Sequence, residues 1–317
     1  MSTKVVYVTG CLGFIGYHVT KQCLQAGYYV IGVDKKTYAA NVHFLLELQG
    51  YQQQFKFIES DINDLDMLYD CDYIINTAAE THVDNSIVSS DVFLQSNVNG
   101  VHHLLNLIKE RHRFKMPTLL HFSTDEVYGD IVTGSHVETD LLKPSNPYSA
   151  TKAAADMLIL AWARTFRVPY IIVRPTNNYG IGQYTEKFIP KSIKHLTLGR
   201  PIALHDAGLP SRTWLHVSDT ASAVIKIIES GVQNEIYNIS GNHEEQNIMI
   251  AMKIIDMFFA EHADHDAHMD LDITRPGQDV RYAIDDSKLK SLGWKPQAVF
   301  ETELVEIVDY YKKNFIY

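Results

Sequence analysis

The chain has 317 residues, 46% hydrophobic and 21% charged, enough to bury one large α/β core or two that share an interface. Its net charge of −10, with no basic block along the chain, argues against a nucleic-acid or membrane-surface role. Cys11, Cys23 and Cys71 are widely spaced and form no CxxC, as in a reduced cytoplasmic protein, and neither an apolar leader nor a run long enough to span a bilayer is present.

Residues 4–9 read as a buried strand, followed at once by Gly10-Cys11-Leu12-Gly13-Phe14-Ile15-Gly16 and a helical stretch to residue 26. Glycines spaced three and three between a strand and a helix let the backbone approach a pyrophosphate, which the helix N-terminus favours. A tight turn under a close-packed helix is the bland alternative; the strand before and the helix after point to dinucleotide binding. A second strand, 29–34, ends in Asp34 about twenty residues beyond the glycines, where a carboxylate takes the ribose hydroxyls of NAD and repels a 2′-phosphate. Lys35 and Lys36 follow; either they answer a phosphate or they belong to a solvated loop, and the acid favours NAD over NADP. A third strand over 55–62 places Asp61 to accept from an adenine amino group and Ile62 to pack on the ring. A fourth over 73–79 ends in Ala78 and Ala79, small enough to let a cofactor lie close. Residues 91–111 carry one helical stripe of Val92, Val98, Val101, Leu104, Leu105 and Ile108, and Asn97 within it is suited to bridging helix and sheet.

The fifth strand, 119–122, leads into Ser123-Thr124-Asp125-Glu126, a polar cluster at the strand end where α/β sheets bind ligands. Tyr148 and Lys152 stand four apart at the start of a helical segment, 150–166, and so share a face. A free tyrosine is a poor base at neutral pH, but a nearby ammonium favours its phenolate, so the pair reads as a tuned proton acceptor. A sixth strand at 169–175 completes an alternation that makes a doubly wound parallel sheet of the Rossmann kind.

Beyond residue 175 the segments become shorter and more polar, with amphipathic helices at 219–230 and 247–259, as in a smaller α/β portion lying across the sheet edge. Histidines in the stretch 261–270 sit in a polar connection without an apolar shell, so no metal is assigned.

These motifs resemble the extended short-chain dehydrogenase/reductases, and within them the nucleotide-sugar 4,6-dehydratases. The likeness runs from the Gly10 turn through Ala79-Glu80-Thr81-His82-Val83-Asp84 and Thr124-Asp125-Glu126-Val127-Tyr128-Gly129 to Leu292-Gly293-Trp294-Lys295-Pro296. It implies a Rossmann domain over 1–175, with returns near 213–240 and at the C-terminus, and a mainly nucleotide-sugar-binding portion over 176–317. It further implies catalysis by Thr124, Asp125, Glu126, Tyr148 and Lys152, the last two also touching NAD. Substrate contacts follow from Glu80, His82, Asn178, Lys187, Arg212, Asn247 and Arg275, and a homodimer through the 91–111 and 148–166 helices. The expected reaction converts an NDP-hexose to its 4-keto-6-deoxy form by C4 oxidation, loss of water across C5 and C6, and hydride return, with or without inversion at C5. The chain departs from the bacterial dTDP-glucose pattern at Thr213, Gln278 and Val280, which keeps UDP-glucose and UDP-N-acetylglucosamine open beside dTDP-glucose; the methyl that separates thymine from uracil is worth only about 0.8 kcal/mol when buried. A 4-epimerase, which needs no Glu126, and a non-catalytic NAD-binding sensor are the competing readings.

Overall fold

The computed structural model describes residues 3–111, 115–259 and 263–314. The six apolar runs become β1 Val5–Thr9, β2 Tyr29–Asp34, β3 Phe55–Glu59, β4 Tyr73–Asn76, β5 Thr118–Phe122 and β6 Tyr170–Pro175. After them come β7 Asn177–Tyr179, β8 Ile202–His205, β9 Ser211–His216, β10 Glu235–Ile239, β11 His243–Gln246 and β12 Met269–Ile273. Seven of these form a parallel sheet in the order β10-β6-β5-β4-β1-β2-β3, the doubly wound architecture expected. Every residue of β4 and β5 is buried, which is why both read as unbroken apolar runs rather than alternating ones. Helices Phe14–Gln25 and Val217–Ser230 cover one face, and Gly100–Glu110 and Pro147–Phe166 the other. The chain reverses direction across the sheet at β1, between β2 and β4, so a crevice opens at the carboxyl ends of β1 and β4.

Strands β7, β9 and β11 form a small second sheet and β8 pairs with β12. With helices Phe188–Thr197, Asn247–Phe259 and Phe300–Lys313 they enclose a core of their own that includes Trp214, Ile254 and Leu304. Among the described residues no helix is long and apolar enough to cross a membrane. All three cysteines are free and buried.

Three elements differ from the sequence expectation. The third strand stops at Glu59, because the Asp61 side chain turns to cap the short helix Ile62–Asp64, and the fourth stops at Asn76. The single helix expected over 91–111 is instead a turn at Asp91–Phe93, a π-helical segment Leu94–Asn99 and an α-helix Gly100–Glu110. The wider π turn breaks the apolar register: Val92 is 56% exposed and Phe93 is buried in its stead. What the break achieves is the placement of Asn97, whose amide grips both the N–H (2.8 Å) and the carbonyl (3.0 Å) of Glu80 and reaches Thr151 Oγ1 at 3.0 Å. Of the histidine-rich stretch, Glu261 and His262 lie outside the described residues; His265 bonds Asp256 at 2.8 Å and His268 stacks on Phe259.

Candidate active site

Two clefts meet at the end of β5. The first runs along the switch point and is lined by Gly10, Gly13, Phe14, Ile15, Gly16, Asp34, Lys35, Asp61, Ile62, Ala78, Ala79 and Glu80. Gly10 has φ +71°, and a Cβ on it would stand 2.8 Å from the Ala78 nitrogen; a Cβ on Gly16 would strike the Gly10 carbonyl at 2.0 Å. Only glycine permits this turn, so the cradle that a pyrophosphate needs is built into the backbone. Asp34 is held rigidly, one oxygen accepting from the Leu12 N–H (3.0 Å) and the other from the Lys36 N–H (2.7 Å), which aims its remaining lone pairs into the cleft. The two lysines beside it are engaged by acids: Lys35 Nζ lies 3.1 Å from Asp61, and Lys36 pairs with Glu59. That pairing removes the free positive charge a 2′-phosphate would seek, and the residues present fit a dinucleotide with unmodified ribose hydroxyls. Burial would raise the Asp61 carboxyl, yet bonds from the Asn63 backbone and side chain and the Lys35 ammonium hold it below the usual range.

The second cleft is lined by the cations Lys187, Lys191, Arg212 and Arg275 and by His82 and His205, whose rings burial holds toward the neutral form, with Asp84, Glu126 and Tyr282 among them. Arg275 Nε sits 2.6 Å from Asp84 Oδ1, and its Nη1 donates to Gln278 Oε1 at 3.0 Å, so Gln278 orients the guanidinium where the bacterial pattern has histidine. Arg212 lies over the Tyr282 ring at 4.4 Å and donates to the carbonyls of Ser211 and Asp279. Thr213 is buried next to it in β9. Lys187 Nζ donates to both Thr81 oxygens, at 2.8 and 2.9 Å, tying the two portions of the chain together. Three of the expected substrate residues lie outside the second cleft, Glu80 lining only the first. Asn178 faces the first cleft, with Thr220 donating to its side chain at 2.6 Å, and Asn247 starts a helix with its N–H on Pro210 O and lines neither cleft.

Glu126 and Lys187 line both clefts. A short helix, Asp125–Tyr128, follows β5 directly, capped by Thr124, whose Oγ1 accepts from the Glu126 N–H at 3.3 Å and donates to Asp125 Oδ1 at 3.2 Å. The other Asp125 oxygen is buried without a partner, and burial followed by the Glu126 charge pushes its carboxyl up to about 7. Burial raises Glu126 as well, opposed by the Asn146 amide, which donates to Glu126 Oε2 at 3.2 Å, and by Arg212 and Lys187. Asn146 also caps helix Pro147–Phe166 in a reciprocal capping box with Ser149, with Pro147 at the first helical position. One residue thus fixes both the start of the helix that carries Tyr148 and Lys152 and the aim of Glu126.

The expected tuning of Tyr148 by Lys152 takes a different form. Burial and then the Glu126 charge push the Tyr148 phenol upward, while the Thr124 hydroxyl opposes them. Lys152 Nζ lies 3.4 Å from Nε2 of the fully buried His121, and Lys152 lines neither cleft. Burial lowers its ammonium to about 8, against the opposite pull of Asp156 one turn along. Asp156 in turn receives Ser123 Oγ at 3.1 Å and Arg174 Nε and Nη2 at 3.1 and 2.9 Å, a pair with almost no exposure. Sequence reasoning missed Asn146, His121, Asp156 and Arg174. Asn146-Pro147 carries a cap signal that was there to be used; the others are single polar residues inside apolar runs, with no local mark of their partners.

Residues 7–307 match the family model described as GDP-mannose 4,6 dehydratase. The chain belongs to this family. It is 37% identical to a probable dTDP-glucose 4,6-dehydratase of Sinorhizobium fredii, over 98% of this chain and 93% of that one. It is 36% identical to a trifunctional UDP-glucose 4,6-dehydratase/UDP-4-keto-6-deoxy-D-glucose 3,5-epimerase/UDP-4-keto-L-rhamnose-reductase of Arabidopsis thaliana, over 98% of this chain and 48% of that protein. Among solved structures it superposes on DesIV, a dTDP-glucose 4,6-dehydratase from Streptomyces venezuelae crystallised with NAD and TYD, with a TM-score of 0.91, 34% identity and coverage of 98% and 97% of the two chains. The dehydratase resemblance drawn from the Thr124-Asp125-Glu126 and Tyr148/Lys152 motifs is borne out at family level.

Proposed function

We propose that this family member is an NDP-hexose 4,6-dehydratase that holds NAD in the first cleft and a UDP- or dTDP-hexose in the second. The observation that carries this reading is Glu126, a half-buried acid facing both clefts beside a fully buried second acid whose carboxyl is raised to about 7. A 4-epimerase has no use for that pair. The chemistry NAD supplies when bound is reversible removal of hydride from the sugar. Tyr148 as its phenolate, a form favoured by the Thr124 hydroxyl and the Lys152 ammonium against burial and the Glu126 charge, takes the proton of the 4-hydroxyl, and the resulting ketone acidifies the C5 proton. Glu126 accepts that proton, while Asp125 gives its own to the departing 6-hydroxyl. His82, Lys187, Arg212 and Arg275 are suited to the diphosphate, the two guanidiniums by their planar forks.

Residues 1–175 serve the cofactor and 176–317 mainly the nucleotide sugar on this reading, with β10 returning to the main sheet. A homodimer fits the apolar side chains left exposed around the 91–111 and 147–166 helices, among them Val92 and Leu94 and, on the long helix, Met157 at 49% exposure. Incubation with UDP- and dTDP-hexoses, followed by mass spectrometry, tests the assignment. Loss of one water supports it; an unchanged mass with a changed configuration at C4 makes the protein an epimerase, and no change at all makes it a sensor.

A further inference from the structure

His121 has no part in the chemistry above, yet it is completely buried with both ring nitrogens engaged. Its Nδ1 lies 3.0 Å from the Asn76 amide nitrogen, Asn76 Oδ1 accepts from Thr9 Oγ1 at 2.6 Å, and its Nε2 lies 3.4 Å from Lys152 Nζ. Three adjacent strands, β1, β4 and β5, thereby supply a continuous polar chain that ends on the lysine. From the structure we infer that His121 is a positioning residue that sets the charge of Lys152 through this chain, its tautomer and the Lys152 proton changing together.

The argument is one of proton counting. Burial, and then the Lys152 charge, keep the ring neutral, so it carries a single N–H. With the Asn76 nitrogen toward Nδ1, that nitrogen accepts, the proton sits on Nε2, and Lys152 must receive it as a neutral amine. With the amide turned over, Nδ1–H donates to the Asn76 oxygen, and Nε2 offers its lone pair to an ammonium. When Lys152 loses its proton the ring keeps its own, which passes from Nδ1 to Nε2 as the amide turns. Each pattern pairs the ring with both Asn76 and Lys152, and a mixture leaves two donors or two acceptors facing in a dry site, which is costly. Other groups do not replace this control. On its own helix Lys152 has Tyr148 and Asp156, whose charge favours the ammonium while its Oδ2 holds Arg174 of β6 and its Oδ1 makes no hydrogen bond; that charge bears on the ammonium but does not set the tautomer of the ring, while Asp125 and Glu126 after β5 act on Tyr148, and Thr9 and Asn76 do not titrate.

Nitrogen-15 spectra of the full chain read the tautomer directly, with the His121 signals identified by their loss in His121→Gln. Below about pH 7 Nδ1 is expected to bear the proton, and through the Lys152 transition near 8 the proton moves to Nε2. In Lys152→Met the ring is expected to hold one tautomer throughout. A parent tautomer that ignores pH, or a switch that persists in Lys152→Met, overturns the inference. The Lys152 side-chain nitrogen-15 signal gives a second measure. His121→Leu withdraws the acceptor from the ammonium, so the Lys152 transition moves down by about one pH unit, a tenfold change in the ratio of charged to neutral amine, and His121→Gln, whose carbonyl can accept, restores it. Superimposable Lys152 titrations for parent and His121→Leu count against the inference. Neither readout needs turnover, so both decide the inference even if the chain dehydrates no sugar nucleotide and the proposed function falls.

Discussion

Replacing Glu126 by Gln keeps the shape of the side chain and its bond with Asn146 but removes the carboxylate assigned to take the C5 proton. The structure indicates what should change. Glu126 is a base strengthened by burial and held in place from one side at 3.2 Å, and a positioned group of this kind is typically worth about 10²- to 10⁴-fold. In deuterated water the parent should place solvent deuterium at C5, and Glu126→Gln should suppress both that exchange and water loss by a factor in this range, with cofactor binding intact. The same substitution removes the charge that, after burial, does most to raise Asp125. The sign is definite: a raised carboxyl holds its proton below its pKa and loses it above, so parent elimination should fall as pH rises through about 7. At one unit above, about a tenth of Asp125 remains protonated. In the variant the residual elimination should begin to fall at lower pH. Deuterium entering C5 at the parent rate in Glu126→Gln would refute the assignment.

Asn146→Asp keeps a good helix cap while replacing the amide donor to Glu126 by a like charge, so thermal stability should stay within about 1 kcal/mol while turnover falls at least tenfold. Equal activity would show that the amide does not aim Glu126. Purified protein should carry tightly held NAD, detected in the supernatant after denaturation; recovery of NADP alone would contradict the pairing of Lys35 and Lys36 with acids. Sedimentation should give a species of twice the chain mass, and a monomer at micromolar concentration would leave the apolar face of the 147–166 helix unexplained. Asp156→Asn strands the Arg174 charge inside the fold and should cost about 3–5 kcal/mol in urea unfolding; a loss below about 1 kcal/mol would mean that Arg174 finds water or another anion.

Much of this was legible because it was written locally. The Gly10 turn, Asp34 and the Asp125-Glu126 pair each lie at or just beyond the end of a strand, so an apolar run and its end suffice to place them. Asn97 was read as a bridge between helix and sheet, and its grip on Glu80 is that bridge. The uniform stripe over 91–111 failed because the π segment inserts an extra residue per turn, and single-period reasoning cannot register a change of period. Spacing put Tyr148 and Lys152 on one helix face, but a face is broad: Tyr148 lines the first cleft, whereas the ammonium has buried His121 at 3.4 Å and the Asp156 charge as its company. Both are distant in sequence from Lys152 or hidden in its own helix, and no local pattern announces them.

Two acids adjacent in sequence can hold opposite roles only if their surroundings differ, and here they do. Asp125 faces the first cleft alone, is 3% exposed, and has one oxygen with no donor; its remaining help is the Thr124 bond and the more distant Arg212. Glu126 opens onto both clefts and has Asn146, Arg212 and Lys187 to favour its charged form. Both carboxyls are raised by burial, but a proton shared between them belongs on the one with fewer donors, because the charge left behind is better matched on the other. Asp125 is therefore the acid and Glu126 the base. The assignment reverses if Asn146 is made unable to donate and a donor is given to Asp125 Oδ2, so it rests on these particular neighbours rather than on the order of the two residues in the chain.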